Sequence, residues 1–263
     1  MDLAIEGNTA LVTASSSGLG KASAKALARE GANVVLNGRT QESLDVAVEE
    51  VRAVATNEVI GVQADLTDAD DIERVVQTTV SEFGGLDHLV TSAGGPPSGP
   101  FLETTDEEWY QAFDLLVMSV VRLVREAADH LAAGDGGTIV TITSRSVKEA
   151  IPSLVLSNSV RMSVIGLEKT LSTELAPDVR VNAVLPGPHE TRRIRDLIEQ
   201  GVDRGEYDSY EAGLKARGES NPLTRIGKPM ELGDTVAFLS SPLSGYINGT
   251  ALPIDGGLGD SNL

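Results

Sequence analysis

The stretch from Ala10 to Gly31 sets the tightest limit on how this chain can fold. Ala10-Leu11-Val12 reads as a short buried strand. Thr13-Ala14-Ser15-Ser16-Ser17-Gly18-Leu19-Gly20 follows as a turn of small residues. Lys21–Glu30 then places Ala22, Ala26 and Leu27 between charged residues, the pattern of a helix ending near Gly31. Strand, glycine turn and helix, in that order, open a dinucleotide-binding βαβ unit. Backbone N–H groups at a helix N-terminus hold a pyrophosphate, and side chains larger than serine would block its approach. A glycine pair alone also suits an ordinary strand-to-helix turn, so the rest of the chain must decide.

The alternation continues. Strands are expected at Asn33–Leu36, Val59–Gln63, Leu86–Thr91, Thr138–Thr143, Arg180–Leu185 and Ala251–Ile254. Helices are expected at Gln41–Val54, Asp68–Phe83, Thr105–Ala132 (one long helix), Leu154–Ala176 and Glu231–Leu239, with a polar, loop-rich region from Pro186 to Pro229. Val- and Ile-rich strands alternating with helices imply a parallel sheet covered on both faces. The fold class is therefore α/β, a doubly wound parallel sheet. No linker or repeat divides the 263 residues, so they form one domain.

Aromatic residues make up only 3% of the chain, so its core must be aliphatic. The formal net charge of -18 disfavours nucleic-acid and anionic-membrane partners. No apolar run is long enough to span a bilayer, and the acidic Met1–Glu6 start lacks a basic leader, so a cytoplasmic protein is expected. The absence of cysteine excludes disulfides and thiolate chemistry. The three histidines are too scattered for a metal site. Arginine outnumbers lysine 15 to 6, and the acids are dispersed, a composition suited to solubility in concentrated salt.

Three further stretches carry candidate chemistry. After the second strand, where NAD-preferring sites commonly place an acid, stand Gly38 and Arg39; a guanidinium can pair with a 2′-phosphate, which favours NADP(H), with NAD(H) as the alternative. Arg39 could equally be a solvated loop residue. Asp65, followed by Leu66, ends the third strand, where its carboxylate either accepts from an adenine amino group or closes a turn. Ser92-Ala93-Gly94 and Pro186-Gly187 end later strands in small residues, which would let a cofactor pass close to the backbone.

With these residues assembled, the chain resembles the short-chain dehydrogenase/reductase superfamily along its whole length, in the branch of 3-oxoacyl-(acyl-carrier-protein) reductase. The resemblance rests on the Thr13–Gly20 turn, Asp65, Ser92-Ala93-Gly94, Ser144, Pro186-Gly187 and the closing Tyr246-Ile247-Asn248-Gly249-Thr250 and Ile254-Asp255-Gly256-Gly257. It implies a seven-stranded Rossmann-like sheet, a homotetramer, and hydride transfer between NAD(P)H and a small carbonyl or alcohol substrate. It also implies cofactor contacts from Thr13, Ser15, Ser17, Gly18, Leu19, Gly20, Leu66 and Thr191, and a substrate lid near residues 188–222.

The chain departs from that family at the chemistry. Ala14 stands where the family has glycine. Ser144 matches the catalytic serine, but the family's Tyr-x-x-x-Lys falls on Ser157 and Arg161, and its helix asparagine on Leu116. A serine hydroxyl is a far weaker acid than a phenol, and an arginine cannot relay protons as lysine can. Arg161 could still orient the cofactor or stabilise an alkoxide. Proton transfer would then fall to Ser157, a water, or a lid group such as His189, Tyr207 or Tyr210. Arg192, Arg193 and Arg195 could attract an anionic substrate or form one solvated helix face. The readings are an NADP(H)-preferring oxidoreductase or a nucleotide-binding homologue without turnover.

Overall fold

The computed structural model describes residues 2–134 and 136–261, with the Arg193 side chain also outside the description. Seven strands form one parallel sheet: β1 (Thr9–Val12), β2 (Asn33–Gly38), β3 (Val59–Gln63), β4 (His88–Thr91), β5 (Gly137–Ile142), β6 (Val179–Pro186) and β7 (Ala251–Ile254). Their order is β3-β2-β1-β4-β5-β6-β7. The chain winds outward from β1 in one direction and from β4 in the other. The crevice beyond the carboxyl ends of β1 and β4 is therefore the topological switch point, where ligands bind in open α/β sheets.

Successive strand residues point to opposite faces, and both faces are buried. Leu11, Leu89 and Ile139 pack on α3 (Ala69–Phe83), α5 (Ser119–Ala132) and α6 (Val155–Glu174). Val12, Val90 and Val140 pack on α1 (Gly18–Arg29), α2 (Gln41–Arg52) and α9 (Pro229–Ser240). Two-sided burial explains why the strands read as continuous aliphatic runs instead of alternating ones. Each fully buried Leu or Val contributes roughly 1.5–3 kcal/mol of transfer free energy, so an aliphatic core suffices without aromatics.

Two expectations need correction. The expected single helix at Thr105–Ala132 is broken into α4 (Asp106–Phe113) and α5 by a π-helical turn over Asp114–Met118, in which the Ser119 N–H donates to the Asp114 carbonyl. Leu116 is buried within that turn. The expected loop region from Pro186 to Pro229 holds two helices, α7 (Arg192–Asp203) and α8 (Tyr210–Gly218). Their charged sequence hides a narrow apolar stripe: Ile198 is the one large apolar side chain fully buried among the described residues of α7. Gly201 and Gly213 lack the Cβ atoms that would meet the Tyr207 ring at 2.6 and 2.9 Å, so this tyrosine wedges between α7 and α8. No helix among the described residues is long and apolar enough to cross a membrane.

Candidate active site

The site begins with the turn between β1 and α1. Ser17 precedes α1 in an extended conformation; no side chain caps the helix and its first turn carries no acid. Its N-terminal N–H groups thus remain available to an anion. Gly18 has φ +60, with open space in front of it apart from the Thr191 methyl, which would stand 3.8 Å from an added Cβ. A Cβ on Gly20 would come within 2.7 Å of the Ala14 carbonyl oxygen, so the turn closes only around glycine there. Leu19 points back onto the core. The turn is a cradle of backbone whose shape fits a dinucleotide pyrophosphate.

Buried polar residues hold that cradle in place. The Thr13 hydroxyl donates to the Ser92 carbonyl at 2.8 Å and accepts from the Ser92 N–H at 2.9 Å, tying the end of β1 to the end of β4. The Ser15 hydroxyl is fully buried; it donates to the Val12 carbonyl at 2.7 Å and accepts from the Asn37 N–H at 3.0 Å. Thr13 and Ser15 thus serve the turn from behind. Asn37, which the sequence reading passed over, is the hub. Its Oδ1 accepts from the Ala14 N–H at 3.1 Å, and its Nδ2 donates to the Val62 and Ala64 carbonyls at 3.3 and 3.1 Å. A single amide directly after the apolar run Val34-Val35-Leu36 was the available signal for it.

Ala14 sits at φ 45, the left-handed region that favours glycine. Ala14→Gly is expected to stabilise the fold by roughly 0.5 kcal/mol, the relief of strain outweighing the added unfolded-state entropy. Thermal unfolding checks this.

At the end of β2, Gly38 lies against Ser16, whose Cβ would stand 3.0 Å from an added Cβ, and Arg39 is exposed beyond it. The Asp65 Oδ1 accepts from both the N–H and the hydroxyl of Thr67, so this carboxylate does close a turn. Leu66 is buried in the core. Ala93 is half-buried and Gly94 exposed at the crevice edge. A cleft of about 900 Å³ opens between α1, α2 and α7, lined by Ser16, Ser17, Thr40, Thr191 and Arg192. The lysines that border it, Lys21 and Lys25, are both bound by Glu50, at 3.0 and 2.8 Å.

The other half of the site lies beyond β5. Ser144 opens a single 3-10 turn, Arg145–Val147, and its Oγ accepts from the Ser146 N–H at 3.1 Å. The buried Ser146 hydroxyl then meets the Ser157 hydroxyl of α6 at 3.1 Å. One helical turn on, Arg161 is 8% exposed, and its Nη2 donates to the Gly94 carbonyl at 3.3 Å. Burial pushes this guanidinium down to about 10, which still leaves it cationic at neutral pH. Ser144, Ser157 and Arg161 therefore bridge β5, α6 and the β4 loop, with Ser146 as a link that spacing alone could not reveal.

Lid candidates lie elsewhere. His189 is buried, its Nδ1 against the Gly187 carbonyl at 2.9 Å, and desolvation lowers its pKa. It lines a separate cavity of about 170 Å³ with Asn221, Arg225 and Glu231, not with Ser144 or Ser157. Tyr207 is the wedge described above, and the Tyr210 hydroxyl donates to Glu190 at 3.0 Å. Arg195 pairs with Glu190 at 3.3 Å, and Arg192 is exposed; the Arg193 side chain lies outside the described residues. Pro186 pairs with Ile254 across β6 and β7, and a Cβ on Gly187 would strike Asp255 at 2.6 Å, so close packing with the C-terminal strand sets these two residues.

Residues 13–259 match a family model described as Enoyl-(Acyl carrier protein) reductase. A human protein named Dehydrogenase/reductase SDR family member 4 is 33% identical over 94% of this chain and 86% of its own. The chain belongs to the short-chain dehydrogenase/reductase family. An uncharacterised oxidoreductase of Bacillus subtilis is another relative, 33% identical over 98% of both chains. L-sorbose reductase from Gluconobacter frateurii, solved with NADPH and L-sorbose, superposes with a TM-score of 0.94 at 31% identity, covering 99% of this chain and 100% of that one. Short-chain oxidoreductases thus share both the sequence and the fold of this protein.

Proposed function

We propose that this protein is an NADP(H)-preferring oxidoreductase acting on a small carbonyl or alcohol compound, a class that includes 3-oxoacyl reductase-like activity. The observation that carries the reading is the uncapped N-terminus of α1, set at the β1/β4 switch point with glycines where a phosphate would approach. Gly18, Gly20 and Ser17 would hold the pyrophosphate, Arg39 a 2′-phosphate, Asp65 the adenine edge, and Thr191 the carboxamide end. Ser92, Ala93 and Gly94, with Pro186 and Gly187, would let the nucleotide lie against backbone. The NADPH in the sorbose reductase structure supports a nicotinamide cofactor. When bound, that group supplies or takes up the hydride.

The chain's own residues would do the remainder. Ser144, oriented through Ser146, would donate to the substrate oxygen. Ser157 and Arg161 stand where the family's Tyr and Lys would fall, so the Ser146–Ser157 hydroxyl pair would pass the proton and Arg161 would favour the oxyanion. Helices α7 and α8, within residues 188–222, would act as the lid. Exposed Phe101, Leu102, Tyr110, Phe113 and Met162 support a homo-oligomer, as in the family-type tetramer.

Arg39→Ala is expected to weaken NADPH about tenfold while leaving NADH within threefold, because only the former carries the phosphate. A fluorescence titration reads this; equal losses for both nucleotides would remove Arg39 from the 2′-phosphate site. A second reading, nucleotide binding without turnover, is favoured by the chemistry of Ser157 and Arg161, neither a ready acid near neutrality. NADPH binding without oxidation by any carbonyl compound would select it.

A further inference from the structure

The cleft of about 900 Å³ extends from the phosphate cradle along the side of α1, and its two walls carry complementary charges. Lys21 and Lys25 stand on the α1 wall, one helical turn apart and so on one face. Arg192, Asp196 and Glu199 stand on the α7 wall, also spaced to share a face. The two helices start level with each other. The methyl of Thr191, which precedes α7, would stand 3.8 Å from a Cβ on Gly18, the first residue of α1. Arg192 is thus beside the cradle. Counted from that level at about 1.5 Å per residue, Lys25 lies about 10 Å along α1, and Asp196 and Glu199 about 8 and 12 Å along α7.

These charges are only partly matched. Lys21 and Lys25 share one carboxylate, that of Glu50. Arg192, Asp196 and Glu199 are exposed and form no ion pair among the described residues. The wall that carries them is a unit: the Tyr207 wedge packs α7 on α8, and the Tyr210 hydroxyl and Arg195 both meet Glu190. Gly227 joins that unit to the body. Its N–H donates to the Pro188 carbonyl at 2.9 Å, and its carbonyl accepts from the Glu190 N–H at 2.9 Å.

We propose that bound nucleotide draws α7 and α8 onto α1 through an ionic latch, in which Arg192 meets the nucleotide phosphates and Lys25 exchanges Glu50 for Asp196 and Glu199. The inference rests on the nucleotide-binding reading above and adds how the lid closes. Glu50 keeps Lys21, so the exchange strips no carboxylate of its partner. The phosphates are required, because closure without them would press Arg192 against the positive N-terminus of α1 and against Lys21. Ion pairs at an exposed cleft are screened by salt, so closure weakens as salt rises.

The chain has no cysteine, so a pair of spin labels can be placed without background. Glu49→Cys on α2 and Gln200→Cys on α7 replace exposed residues outside the cleft lining. Pulsed dipolar spectroscopy reads the label distance as NADPH is added, and NADPH fluorescence reads binding in the same samples. Saturating NADPH is expected to shorten the distance by several ångström in dilute buffer and to leave it unchanged in about 2 M KCl. Lys25→Glu should abolish the shortening, and the charge swap Lys25→Glu with Glu199→Lys should restore it. Arg192→Ala should also abolish it and weaken NADPH about fivefold. NADPH that binds without shortening the distance overturns the proposal. So does a shortening of wild-type size in Lys25→Glu, in Arg192→Ala or in concentrated salt, or a charge swap that restores nothing. Failure of NADPH to bind would instead overturn the nucleotide reading, and the latch with it.

Discussion

Replacing Glu168 by glutamine is expected to raise the melting temperature at pH 8 by about 4–8 °C more than it does at pH 6.5, with the gain shrinking further towards pH 5. Glu168 projects from α6 into the sheet and is 4% exposed. Its Oε1 accepts from the Thr141 hydroxyl, which is linked in turn to Thr91 at 2.7 Å, and its Oε2 has no partner. Desolvation pushes this carboxyl up from 4.5 to about 8. The folded state therefore keeps a proton that the unfolded chain gives up above pH 4.5. Stability is unaffected below that pH, falls as pH rises, and levels off above about 8. Each unit corresponds to about 1.4 kcal/mol, so the interval from pH 6.5 to 8 alone is worth roughly 2 kcal/mol. A domain of this size shifts by about 2–4 °C per kcal/mol. The neutral glutamine removes this slope. His88 produces the opposite limb. It is buried between Asn8 and Thr138 and burial lowers it from 6.5 to about 4, so its contribution is complete above pH 6.5 and is lost as pH falls towards 4. Equal pH dependence in wild type and Glu168→Gln would show that the carboxyl is not held neutral.

Asn37→Ala is expected to cost about 3–5 kcal/mol of stability and to weaken NADPH binding at least tenfold. The substitution leaves the Ala14 N–H and the Val62 and Ala64 carbonyls without their partner, and each buried polar group left unsatisfied costs about 1–3 kcal/mol. It also releases Ala14, whose left-handed conformation this amide pins, and with it the turn that shapes the proposed phosphate cradle. Denaturant unfolding and nucleotide titration at a temperature where the variant is folded separate the two effects. A variant that loses stability yet binds NADPH like the wild type would show that the turn holds its shape without Asn37.

The sheet was legible because two-sided burial demands aliphatic strands, and those runs stand out against charged helices. The glycine turn was legible for a similar reason: Gly20 answers a close approach of the Ala14 carbonyl that leaves no room for a Cβ, and Gly18 a left-handed φ that favours glycine. The helices α7 and α8 were not, because among the described residues of α7 Ile198 is the one large apolar side chain fully buried, and charges dominate the rest. Asn37 and Ser146 escaped for different reasons. The first fell just beyond the expected strand Asn33–Leu36, and the second acquires meaning only when the 3-10 turn brings it against Ser157. His189 and Tyr210 had suitable chemistry at suitable places in the sequence, but packing directs one to Gly187 and the other to Glu190. Arg161 was singled out by resemblance; its lack of a counter-charge became visible only in the fold.

The central claim is that the β1/β4 crevice holds a phosphorylated nicotinamide dinucleotide. Titrating the wild-type protein with NADPH and with NADH, followed by cofactor fluorescence in low and in high salt, tests it most directly. Saturable NADPH binding, at least tenfold tighter than that of NADH and retained at high salt, is the expected result. Failure of both nucleotides to bind at either salt concentration would contradict it.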